Sequence, residues 1–189
     1  MDVNAWIAAF SAAVAVGALT MAWTAVRAAN AQTAFELARG LQDKLISPDI
    51  AATRDRLEAY RLGPRPTPDA TRAVVHDYFV MLWAFEHANV GRESLVRRRR
   101  VNRTGPAVRF LDTSIRWHLE HWATVWPRLR SRVVDTLGEP LDDHQSIPGL
   151  LDLTDAVLGP TAAVRELRQQ IEAEQAAHTP RPLLPRHTP

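Results

Sequence analysis

Residues 3–26 read VNAWIAAFSAAVAVGALTMAWTAV, 24 positions without a charged side chain, with Trp6 toward one end and Trp23 toward the other. A helix of that length reaches about 36 Å at about 1.5 Å per residue, enough to cross a hydrocarbon core roughly 30 Å thick. The stretch therefore reads as a single membrane anchor. Nine alanines, with Asn4, Ser11, Gly17, Thr20 and Thr24, dilute Ile7, Phe10, Val14, Val16 and Leu19, so insertion is only moderately favourable. Two other readings compete. A helix that is apolar all round also suits the core of a soluble protein. A cleaved signal peptide wants a positive start and an apolar stretch of about 7–15 residues, whereas Asp2 is the only charged side chain before this run.

Charge on the two flanks sets the expected orientation. Arg27, Arg39 and Lys44 follow the stretch and no Lys or Arg precedes it, so retention of basic residues in the cytosol puts the N-terminus outside and the C-terminal side inside. Trp6, Trp23 and Arg27 are then the residues expected at the membrane interfaces. Ala5, Ala9, Ala13 and Gly17 recur every four residues, a stripe of small side chains that lets two helices approach closely. Homo-oligomerisation through Ala9, Ala13 and Gly17 is the association this stripe would support.

About 160 residues remain after the anchor, enough for one domain with its own core. The chain has no cysteine, which removes disulfides, thiolate ligands and a cysteine nucleophile together and agrees with a cytosolic domain. Net charge is only +2, yet Lys44 is the sole lysine among 23 basic residues. With abundant Ala and Pro, that bias reads as a high-GC bacterial genome before it reads as chemistry.

The punctuation downstream is helical throughout. Ala34, Leu37, Ala38, Leu41 and Leu45 keep a three-to-four spacing, so the anchor is expected to run on to about Ile46. Ser47-Pro48-Asp49 and Thr67-Pro68-Asp69 each supply an N-cap, a first-turn proline and a first-turn acid. The helix begun at Pro48 should end near Leu62, and the one begun at Pro68 near Asn89, with Gly91 as terminator. The unbroken apolar run from Tyr78 to Phe85 is expected at the middle of the bundle. Leu111, Ile115, Leu119, Trp122, Trp126, Leu129, Val133 and Leu137 define a long helix from about Gly105 to Leu137, with a kink expected at Pro127. Shorter helices should follow over residues 147–158 and 160–177. The tail from Thr179, with four prolines, is expected to be disordered. No strand alternation is present.

Few residues carry chemistry. His76-Asp77 resembles the metal-binding pair of His-Asp phosphohydrolases, but that site needs an earlier histidine and none precedes His76. His118 and His121 lie three apart, and His87 follows His76 by eleven, so two helices side by side could build a histidine metal site from His76, His87, His118 and His121. A bundle enzyme or metal sensor on these residues is one alternative function. The sequence lacks a phosphate loop with its lysine, a nucleophile elbow and a dinucleotide fingerprint, so no catalytic residue and no cofactor are assigned. Arg92, Arg97, Arg98, Arg99, Arg100 and Arg103 crowd the connection between the two longest soluble helices, opposed only by Glu93. Of these, Arg97, Arg98, Arg99, Arg100 and Arg103 are candidate contacts for an anionic partner. Such a loop reads either as a solvated segment of an arginine-biased chain or, on a tethered domain, as a contact for anionic lipid or an acidic protein, ahead of nucleic acid. The distance of the loop from the anchor decides between these partners, and that distance is not written in the sequence.

The anchor, the segment around Asn30, Phe35, Leu37 and Ala38, the stretch from Tyr78 to Glu86 ending at Gly91, and the run from Phe110-Leu111 to Trp122 with Arg128 resemble a family of uncharacterised bacterial membrane-anchored helical proteins. The resemblance spans residues 6–132. It implies architecture and location and supplies no catalytic residues.

The expected fold is all-α: one N-terminal transmembrane helix (residues 1–27), a cytosolic bundle of about five or six helices (28–178) and a proline-rich tail (179–189). The expected function is a membrane-anchored, non-catalytic interaction module, an adaptor or scaffold for an unknown protein partner at the cytosolic face of a bacterial cell membrane. Anionic-lipid binding is the further alternative.

Overall fold

The computed structural model describes residues 2–98 and 104–178, apart from the side chains of residues 5 and 174–178. The expected tail, 179–189, lies outside the described residues. Six helices and no strand make up the described chain, so the fold is all-α.

Helix α1 (Val3–Leu45) is a single element of 43 residues, continuous through the boundary at residue 27. The Asp2 carboxylate caps it, accepting the Asn4 N–H at 3.1 Å. Its two halves differ in what they meet. The N-terminal half is long and apolar enough to cross a membrane, and none of its most apolar stretch is buried. That excludes a place in the core of this bundle for it. In the C-terminal half, Ala34, Ala38, Leu41 and Leu45 are buried at helical spacing.

Helices α2 (Pro48–Leu62) and α3 (Pro68–Arg97) start where the Ser-Pro-Asp and Thr-Pro-Asp signals place them. Ser47 Oγ accepts the Ile50 N–H and Thr67 Oγ1 accepts the Ala70 N–H. The expected end of α3 near Asn89 is corrected: the helix continues two turns further, to Arg97. Gly91 is not a terminator. It is a helical residue whose missing side chain leaves room for Leu41, since a Cβ there would stand 2.5 Å from Leu41 Cδ1. Helix α4 (Gly105–Leu137) and helix α5 (Ile147–Leu158) match their expected limits. Both end on glycines with positive φ, Gly138 at 73° and Gly159 at 82°, a conformation that costs other residues more. Helix α6 (Ala162–His178) begins two residues later than expected, because the Thr161 hydroxyl accepts the Val164 N–H at 3.2 Å.

Helix α3 touches α1, α2, α4 and α5 and is the centre of the bundle. Tyr78, Met81, Leu82, Ala84 and Phe85 are buried there, but Trp83 remains 52% exposed. The apolar run is therefore enclosed on most sides and open on one. Inside, Trp122, Trp126, Tyr78 and Phe85 are the largest fully buried side chains. A buried polar chain crosses this core. Trp126 Nε1 donates to Tyr78 Oη at 3.0 Å, Tyr78 Oη donates to Asp143 Oδ2 at 2.6 Å, and Arg130 holds both oxygens of Asp143 at 2.9 and 3.0 Å. Burial, with the Asp143 charge beside it, pushes the Tyr78 hydroxyl well above its usual pKa and keeps it a donor.

Candidate functional site

Helix α1 carries the residues expected at the membrane, Trp6 near its start and Trp23 and Arg27 at its junction with the bundle. Trp6 and Trp23 are exposed, and the Arg27 guanidinium lies 3.4 Å from the centroid of the Trp23 ring, a cation–π arrangement that joins a cationic head to an aromatic body. Ala9 and Ala13 are exposed, and a Cβ at Gly17 would meet nothing within 4 Å. The small-residue stripe is thus uncovered by the rest of the described chain.

Three contacts orient the bundle relative to that junction. Leu41 of α1 fits against Gly91 of α3, and the Phe35 and Phe110 rings of α1 and α4 lie 6.1 Å apart. Arg92 on α3 holds Asp112 on α4 at 2.7 and 3.0 Å, so residues 91–92 and 112 stand at one level. Moving from Leu41 to Phe35 along α1 therefore means moving toward the end of α3 and the start of α4. These two termini are tied together, the Thr104 hydroxyl donating to the Leu95 carbonyl. The end of the bundle nearest Arg27 thus carries Arg97 and Arg98, both exposed. Arg99, Arg100 and Arg103 lie outside the described residues.

The four histidines do not assemble. His76 and His87 are exposed on α3. His118 and His121 face α2, where Arg54 donates to His118 Nδ1 at 3.1 Å and His121 Nε2 is hydrogen-bonded to Glu58 Oε1 at 2.8 Å. Trp117, 64% exposed, stacks on the His121 ring at 5.8 Å between centroids. Burial first, then the charges of Arg54 and His121, lowers the His118 pKa and favours its neutral form. Burial raises the Glu58 pKa, but the hydrogen bonds from Arg61 and His121 outweigh it and hold the carboxylate ionised. Asp77, beside His76, is taken by Arg56, which grips both carboxylate oxygens at 2.6 and 2.7 Å. Among the described residues, no three His, Asp or Glu side chains converge in a way that could hold a metal ion.

Sequence reading missed a cleft of about 690 Å³ lined by Arg61, Arg65, Pro66, Pro127, Arg128, Ser131, Arg132, Asp135, Thr136, Glu166 and Gln170. Arg61 is bound to Glu58. Arg132 donates to the carbonyls of Gly63 and Pro64 and lies 5.4 Å from the Tyr60 ring centroid, while its Nε is buried without a hydrogen-bond partner. Four guanidinium groups against Asp135 and Glu166 make a mixed, mildly cationic wall. Its residues come from α2, the α2–α3 connection, α4 and α6, so no local sequence pattern announces it.

Comparison with protein-family models, with curated proteins and with solved structures found no match.

Proposed function

We propose that this chain is a single-pass, non-catalytic module that holds a protein partner at the inner face of a bacterial cell membrane, with its N-terminus outside. The observation that carries the reading is the division of α1. Ten large apolar side chains between Val3 and Val26 are exposed, an area that water does not leave bare on a soluble monomer. The same helix continues into the core through Ala34, Ala38, Leu41 and Leu45, so whatever the bundle binds is held at a fixed distance from the span. The arginines and lysine that follow the apolar stretch support the inside placement of the bundle. On the bundle, His76, Phe79, Trp83, His87 and Val90 share one face of α3, and Trp83 and Val90 are exposed. That open side of the central helix is the docking face in this reading.

Alkaline carbonate extraction of membranes from cells making the full chain, followed by affinity capture from the solubilised pellet, tests it. The expected result is retention in the pellet and a captured protein that a Trp83→Ser variant no longer holds. Release into the supernatant overturns the anchor, and equal capture by both forms overturns the docking face.

A further inference from the structure

We infer that the bundle end formed by the close of α3 and the start of α4 is a docking surface for anionic phospholipid headgroups, with Arg97, Arg98 and Arg109 as its described cations. The inference rests on the anchored reading of α1 and goes beyond it, since an anchor by itself says nothing of what the bundle touches. Leu41 against Gly91 and Phe35 beside Phe110 set the level of each helix against α1. Helix α3 runs opposite to α1, so Arg97 and Arg98 stand at about the level of Phe35 and Ala34. At about 1.5 Å per residue, that level is about 10–12 Å along the axis from Arg27. The headgroup layer is about 5–7 Å deep on each side of the hydrocarbon core. The gap that remains is shorter than the screening length of about 8 Å at physiological ionic strength. Arg97, Arg98 and Arg109 are all exposed, and no ion pair holds them among the described residues. Arg92, by contrast, is committed to Asp112 and to the Ala156 carbonyl. Of the acids toward this level, Asp112 is taken by Arg92, Glu36 is hydrogen-bonded by Gln32 at 2.9 Å, and Glu93 is exposed. Guanidinium groups facing a phosphate surface within a screening length are attracted to it. The source of the phosphate is the bilayer, because α1 delivers this end to it and to nothing else.

The absence of cysteine from the chain allows a clean test with single labelled positions. The full chain is placed in nanodiscs with a donor dye on Val96→Cys, beside Arg97, or on Asp135→Cys, far along α4, and with an acceptor dye on lipid headgroups. Energy transfer is expected to be strong from position 96 and weak from position 135. In discs containing phosphatidylglycerol, the dye at 96 is expected to be shielded from an aqueous quencher. That shielding should be lost in phosphatidylcholine discs, in high salt, and in an Arg97→Gln/Arg98→Gln variant. A chain that does not enter nanodiscs overturns the anchored reading and this inference with it. Incorporation with equal transfer from both positions overturns the placement alone. Strong transfer from 96 with shielding that ignores lipid charge overturns headgroup recognition, as does shielding that appears only when RNA is added.

Discussion

Asp143 is almost wholly out of water and accepts hydrogen bonds from both Tyr78 and Arg130. Breaking a buried pair strands the other charge, which costs about 3–5 kcal/mol. We expect Asp143→Ala to destabilise the detergent-solubilised full chain by about that amount, read from the midpoint of chemical denaturation. A loss under about 1 kcal/mol would mean that Arg130 reaches water in the variant. His118 is the second informative side chain. Its pKa is lower in the folded chain than the usual value of about 6.5, so below that pH the unfolded chain takes up the proton first. This contribution to stability is complete above about pH 6.5 and is lost as pH falls toward the folded value. His118→Gln should flatten the fall in thermal midpoint on mild acidification. An unchanged slope would assign the pH dependence to other groups.

Among the helices, two glycines separate propensity from packing. Gly149 on α5 faces the backbone of α3, where a Cβ would stand 2.7 Å from Glu86 Cα. Gly91 on α3 faces the movable end of Leu41. Alanine is favoured over glycine by about 0.8–1.0 kcal/mol inside a helix, so both substitutions start with a gain. At Gly149 the clash with backbone has no side-chain escape, and Gly149→Ala is expected to be net destabilising by about 1–3 kcal/mol. Gly91→Ala, where Leu41 can turn aside, should stay within about 1 kcal/mol of the parent. Denaturation midpoints of the two variants check the order, and the reverse order would mean that α5 moves on α3 more easily than Leu41 changes rotamer. The same pair shows why one helix end was misread. Gly91 looks like a stop in one dimension, yet its glycine serves a contact with α1, fifty residues earlier in the chain.

For the molecule as a whole, α1 couples an uncovered apolar half to a half built into the core, and retention of the full chain in carbonate-washed membranes is the outcome that this division predicts. The all-helical class, the starts of α2 and α3 and the limits of α4 and α5 were legible in the chain. They depend on caps, prolines, glycines and apolar spacing, all of which act within a few residues. That one helix is long and apolar enough to cross a membrane was legible for the same reason, because length and absence of charge are local properties. Folding in three dimensions decided the rest. It sent His118 and His121 to Arg54 and Glu58 on α2, while His76 and His87 stay exposed on α3. It assembled the Arg61, Arg65, Arg128 and Arg132 cleft from separate elements. It also turned the Arg97 end of the bundle toward Arg27, through the contacts of Leu41 with Gly91 and Phe35 with Phe110. Several packings bury the same apolar stripes, and only the fit of side chains between distant segments selects one of them.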